Sequence, residues 1–167
     1  MADADTPGLP CVPGLRQALQ DLARELGTPL PPGPDDSHAP WEVYRAALRS
    51  ETARPLLPAA VRAEPDGALA SGVVGEVLEL LPRPERDTWV AALPPAVRAF
   101  SERRARELAI LDDLRAEAPA LVPEVTDWSD WLQLRAAIEV RHPGVLNALA
   151  DSGRTKRIRR TARESLG

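Results

Sequence analysis

Proline constrains this chain more than any other residue. Eighteen prolines run through its 167 residues. Each one removes a backbone donor and is tolerated in joints and first helical turns, not in a helix interior or a central strand. The intervals between them are about the length of a helix. β-branched residues are sparse, and the only aromatics are four Trp, one Tyr and one Phe, which argues against a sheet protein. With no Asn-Gly hairpin signal either, the expectation is an all-α fold of stacked antiparallel helix pairs, either a short solenoid or an irregular bundle.

The first segment, "PGLRQALQDLARELGTP", sets Leu15, Leu19, Leu22 and Leu26 at helical spacing and stops at Gly27 and Pro29. After it, "PLPPGPDDSHAP" carries five prolines in twelve residues and reads as an extended linker. The expected organisation is therefore an N-terminal helix with a Pro-rich linker over 1–39 and a helical domain over 40–167. That domain begins with a short helix, "WEVYRAALRS", and "TARPLLPAAVRAE" resumes after a break at Pro55 to Pro58.

"GALASGVVGEVLELLP" carries a helical stripe of Leu69, Val73, Val74, Val77, Leu78 and Leu81. Gly72 and Gly75 interrupt it, each costing about 1 kcal/mol relative to Ala. They imply either a closely packed neighbouring helix or a stretch of buried strand. "PERDTWVAALP" presents Trp89 and Leu93. The long stretch from Pro95 to Pro119 points Val97, Phe100, Leu108, Leu111 and Leu114 at the core and leaves "SERRARE" to solvent. Asp127 is the expected N-cap of "DWSDWLQLRAAIEV"; a helix from Pro143 to Gly153 and a last one over Thr155 to Leu166 follow.

Chemistry-bearing motifs are scarce. Cys11 is the only cysteine and His38 and His142 the only histidines, so neither a disulfide nor a structural zinc site is expected. Asp112, Asp113 and Glu117 read as a solvated helix face, since no oxygen-rich calcium loop accompanies them. His142 has no nucleophile near it in sequence. Without a phosphate loop, "GxSxG" or "HExxH", no enzyme and no cofactor is expected. The N-terminus lacks signal-peptide regions and no apolar run reaches membrane-span length, so the expected location is the cytoplasm, with no membrane partner.

Charge is distributed unevenly. Net charge is −4, yet residues 154–167 hold six basic side chains against one acidic one. They are Arg154, Lys156, Arg157, Arg159, Arg160 and Arg163. At 100° per residue, Ile158, Ala162 and Leu166 form an apolar stripe with Lys156, Arg159, Arg160 and Arg163 opposite it and Arg157 on the flank. Such a face binds phosphates or an acidic partner, or it is the solvated side of a terminal helix whose cations offset an acidic body and, near its C-terminal end, complement the helix dipole. No aromatic follows Trp131, so base stacking is not expected there. Trp128 and Trp131, at i and i+3, read as core anchors; an exposed one would mark a partner site. The twenty arginines against one lysine reflect GC-rich, bacterial-like composition.

Two stretches resemble a known family. "LADSGRTKRIRRTARESL" resembles the second half of a HEAT repeat, a turn followed by a helix with Ile158, Arg159, Ala162 and Leu166 at the family's spacing. "AEPDGALASGVVGEVLELL" resembles the same element, with its turn at Pro65 and Asp66. The resemblance implies a HEAT-like stack acting as a scaffold that binds a protein partner. The alternative is a nucleic-acid-binding accessory protein using the basic C-terminal helix through residues 154–163.

Overall fold

The computed structural model describes residues 14–30, 39–116 and 124–167. Every regular element among them is helical: α1 Leu15–Leu26, α2 Ala39–Arg49, α3 Leu57–Ala63, α4 Gly67–Leu80, α5 Arg83–Ala92, α6 Arg98–Arg115, α7 Asp130–Glu139, α8 Pro143–Ser152 and α9 Lys156–Leu166. Short 3-10 turns lie at Arg54–Leu56, Pro95–Val97 and Val125–Asp127. The fold is all-α, as the proline spacing implies. Prolines occupy the first turns of α3, α5 and α8, where the missing donor costs nothing.

The chain divides into two compact units, Met1–Glu102 and Arg103–Gly167, with the division inside α6. This differs from a boundary at 39/40. In the first unit α1 packs on α2 and α3, with Leu22 fully buried, so the first helix shares the core of the helices that follow. Amphipathic spacing alone cannot say which neighbour covers a stripe. Residues 31–38 of the expected linker lie outside the described residues.

Alternate helices stack in this unit: α1 on α3, α2 on α4 and α3 on α5. Asp66 starts α4 by accepting from the amides of Ala68 and Leu69, and the helix buries Ala70, Val73, Val74, Val77 and Leu78. Its glycines are neither a strand nor a tight crossing. A Cβ on Gly72 would lie 3.9 Å from the Trp41 ring and one on Gly75 3.8 Å from Phe100, which is ordinary contact. Five buried apolar side chains outweigh the local cost of the two glycines.

One buried polar bond ties this core together. The Tyr44 hydroxyl donates to Glu64 Oε2 at 2.6 Å, and the amide of Asp66 donates to Oε1 at 3.1 Å. Burial, reinforced by that carboxylate, pushes the Tyr44 phenol far above its ordinary range, so it stays a donor. The bond links α2 to the α3–α4 joint.

Two expectations for α6 fail. Phe100 is 46% exposed instead of core-facing, and within "SERRARE" Ser101 and Glu107 are buried. The inward face of α6 is partly polar, so apolar periodicity misplaces it.

In the second unit α7, α8 and α9 pack on one another. α7 and α9 run parallel. At their starts Asp130 and Gln133 accept from Arg154, and at their ends Ser165 donates to the Ala137 carbonyl. Ser129, not Asp127, caps α7 by accepting from the Leu132 amide; Asp127 ends the preceding 3-10 turn. Gln133 is fully buried and donates to the carbonyls of Val125 and Trp128 while accepting from the Arg154 amide. Gly153 lets α9 approach α8 closely, because a Cβ there would sit 2.5 Å from the Leu149 carbonyl oxygen and 2.8 Å from Ile158.

A recurrent device closes the helices. Apart from α1, which ends on left-handed Gly27, most of these helices leave in extended conformation. The end carbonyls then lack the amide partners of a glycine cap. Arginines from downstream supply them: Arg54 to Leu48, Arg86 to Leu78 and Leu81, and Arg98 to Ala91 and Leu93. A cation at a helix C-terminus also meets the negative end of the dipole, worth about 0.3–1 kcal/mol and more when partly buried.

Candidate functional site

The C-terminal basic run falls into two groups. Arg154 is tied back although exposed: its guanidinium donates to the carbonyls of Thr126 and Trp128 at 3.2 and 2.9 Å and pairs with Asp130 at 3.0 Å. Arg159 turns back onto the Gly153 carbonyl, and Arg163 reaches the Ala150 carbonyl at 3.0 Å. Those carbonyls close α8, so both residues extend the device seen in the first unit. Arg159 therefore leaves the outward cationic row in which sequence spacing places it.

Lys156, Arg157 and Arg160 form the other group. All three are exposed. Arg160 lies 3.5 Å from Glu164, an exposed pair of the kind that contributes little. Among the described residues, Lys156 and Arg157 make no hydrogen bond or ion pair. They occupy the first turn of α9, which has no acidic residue, directly after the N-cap Thr155. A cation at that end faces the positive pole of the helix and is unfavourable by about 0.3–1 kcal/mol. Dipole complementation, expected only near the C-terminal end of this helix, does not extend to these two.

α9 itself is firmly held. Ile158 and Ala162 are buried, Thr155 Oγ accepts from the Ile158 amide, and Ser165 bonds α7 at 2.8 Å. Leu166, the expected third member of the stripe, is 40% exposed.

Trp128 is buried, as a core anchor should be. Trp131 is half-buried with two guanidiniums at its ring, Arg104 of α6 3.4 Å and Arg135 5.1 Å from the centroid. Arg135 continues into an ion-pair cluster, in which Glu139 accepts from both Arg115 and Arg135 and Asp112 pairs with Arg115 at 3.0 Å. Asp112 is thus a structural partner, and Glu117 lies outside the described residues. Trp131 therefore contacts two guanidiniums within its own unit, while part of its surface stays accessible.

Burial raises the Glu139 carboxyl, but hydrogen bonds and charge from Arg115 and Arg135 outweigh it and hold it below the ordinary glutamate value of 4.5. A carboxylate depressed on folding stabilises the protein above its unfolded value and loses that contribution as pH falls through the folded one. Glu139→Gln is therefore expected to melt below wild type near pH 7, with the gap closing at pH values under 4.5, read from melting temperatures across a pH series.

His142 caps α8, its Nδ1 accepting from the Val145 amide at 3.4 Å. Among the described residues no three His, Cys, Asp or Glu side chains gather where they could hold a metal. No described helix is long and apolar enough to cross a membrane. A shallow open groove of about 370 Å³ lies between α2 and α4, lined by Arg45, Leu48, Arg49, Glu76, Glu79 and Leu80.

No family model, curated protein or solved structure matches the chain. Its surfaces must be read from their own chemistry.

Gln133, Gly153 and the arginine–carbonyl bonds are invisible to motif reading. A buried glutamine looks like any polar helix residue in sequence. The one available signal is position: Arg159 and Arg163 sit six and ten residues beyond Gly153, within reach of the helix end before it.

Proposed function

We propose that the chain is a non-enzymatic interaction module that holds a protein partner, with the outward face of α9 as part of its working surface. The observation that carries this reading is the placement of Lys156 and Arg157. Both are exposed, lack partners among the described residues, and stand at the end of the helix where a cation is least favourable. Folding stability gives no reason for such an arrangement. Residues that cost stability on a rigid scaffold are those that recognition retains. A HEAT-like scaffold role and a cytoplasmic location belong to the same proposal.

Duplex nucleic acid fits this face less well. Arg154, Arg159 and Arg163 already serve backbone carbonyls, which leaves Lys156, Arg157 and Arg160 as the exposed cations of the run that no backbone carbonyl holds. Three phosphate contacts give only a shallow salt dependence, a log-log slope of about 3. Asp130, paired with Arg154, and Glu164, 3.5 Å from Arg160, set negative charge within the run that opposes a polyanion.

The test is retention from a lysate of the native host on the immobilised full chain, at low and high salt, with and without nuclease. A protein that is retained at low salt, released at high salt and indifferent to nuclease is the expected result. Retention abolished by nuclease transfers the surface to nucleic acid and overturns the reading.

A further inference from the structure

We propose that the groove face of α2 and α4, in the first unit, is a self-complementary docking surface for a second copy of this chain. It is a different surface from α9, with a different occupant.

The walls of this groove are opposite in sign. Arg45 and Arg49, one turn apart, line it from α2, and Glu76 and Glu79 line it from α4; all four are exposed. Buried Leu48 and exposed Leu80 complete the lining. Opposite charges around one concavity usually close on each other, and these do not. Among the described residues Arg45, Arg49 and Glu76 make no hydrogen bond or ion pair, and Arg45 leans over the Trp41 ring instead, 6.0 Å from its centroid. Leu80, at 55%, is the most exposed large apolar side chain among the described residues.

The two helices run in the same direction along the groove. A Cβ on Gly72 would lie 3.9 Å from the Trp41 ring, and the groove is lined by the turns that follow Trp41 on α2 and Gly72 on α4. Counted turn by turn from that contact, Arg45 is level with Glu76 and Arg49 with Leu80.

A patch that binds its own copy must match itself under a two-fold rotation. An axis running along this groove meets that condition, because it exchanges the two walls and keeps every level. Arg45 of each copy then faces Glu76 of the other, so two ion pairs form at once, and the two Leu80 side chains meet across the axis. An axis laid across the groove instead sets Arg on Arg and Glu on Glu. A polyanion is repelled by the Glu76 and Glu79 wall, and a polycation by the Arg45 and Arg49 wall. A second copy is matched on both walls, and the same two helices supply its pattern. Two helices of 11 and 14 residues present an interface at the small end, below about 1,200 Å², so the dimer is reversible and fills at high concentration.

Sedimentation equilibrium of the full chain from about 10 μM to about 1 mM tests this. The mass should rise from one chain toward two, and less steeply in high salt. R45E and E76R should each weaken the dimer at least about tenfold, because each turns both ion pairs into like-charge contacts. An equal mixture of R45E and E76R should recover the wild-type mass, since reversed groups face each other at one pair and native groups at the other. L80D, which sets two carboxylates across the axis, should stay a single chain. R16E, an exposed site on α1 with the same change of net charge as R45E, should dimerise as wild type does. All these side chains but that of Arg16 line the groove, and every one is exposed, so each variant should keep its helical spectrum and melt within a few degrees of dilute wild type. The inference is overturned if wild type has the mass of one chain throughout, if the mixture fails to dimerise, if L80D dimerises as wild type does, or if R16E weakens the dimer as much as R45E.

Discussion

Replacing Gln133 with Leu is expected to destabilise the second unit by about 3 kcal/mol, despite the gain of an apolar side chain of similar size. The amide makes three bonds from a fully buried position: to the carbonyls of Val125 and Trp128 and from the Arg154 amide. Trp128 keeps a second donor in Arg154, but the Val125 carbonyl and the Arg154 amide lose the partners supplied by Gln133. An orphaned buried group such as the Val125 carbonyl costs about 1–3 kcal/mol, and with the part-buried Arg154 amide the loss exceeds what the isobutyl group of leucine returns. The melting temperature should fall by about 2–4 °C for each kcal/mol in a chain of this length. Hydrogen exchange should locate the loss in α7 to α9 and leave α1 to α5 protected. A variant as stable as wild type would mean that the guanidinium of Arg154 alone secures this corner.

The second large effect concerns glycine, and its sign depends on position. Gly153→Ala is expected to cost about 1–3 kcal/mol, since the added methyl lands 2.5 Å from the Leu149 carbonyl oxygen and 2.8 Å from Ile158. The nearest obstacle is backbone, so the α8–α9 joint must move to admit it. Gly72→Ala and Gly75→Ala on α4 should instead stabilise by up to about 1 kcal/mol each, because a methyl there meets only ring atoms at ordinary distance and relieves the helical cost of glycine. Chemical denaturation of the three single variants measures the contrast. An equal loss in all three would mean that α4 is packed as closely as the α8–α9 joint.

These glycines also mark how far the sequence could be read. Helix positions were legible because proline and apolar spacing act locally. The α4 stripe was strong enough to outweigh two glycines, and the last helix starts at Lys156 after a Thr155 cap, one residue from where spacing put it. What a residue meets across the fold was not legible. Gly72 and Gly75 drew attention as helix interruptions, yet the glycine that matters most for packing is Gly153, which reads only as a helix stop. Asp127 and Ser129 are both good caps, and the choice between them depended on a 3-10 turn that spacing does not reveal.

The basic run shows the same division. Its helical face was predictable, but Arg154, Arg159 and Arg163 look identical to Arg157 and Arg160 until the carbonyls of Trp128, Gly153 and Ala150 are placed beside them. Likewise, Trp131 showed its spacing from Trp128 but not the Arg104 guanidinium stacked on its ring.

The arginine bonds to helix ends bear on how such a chain tolerates sequence drift. A carbonyl oxygen is present whatever the side chain, so Ala91, Leu93 and Ala150 offer an acceptor that no substitution at those positions deletes chemically, Gly153 being held separately by its close packing. The arginines have no such redundancy. A lysine in their place keeps the charge but not the planar fork with which Arg98 reaches two carbonyls at once. Lineages descending from this protein should therefore keep arginine at positions 54, 86, 98, 154, 159 and 163 while the helix ends they serve diverge. That pattern of isolated invariant cations imitates a nucleic-acid footprint while recording how the helices are fastened.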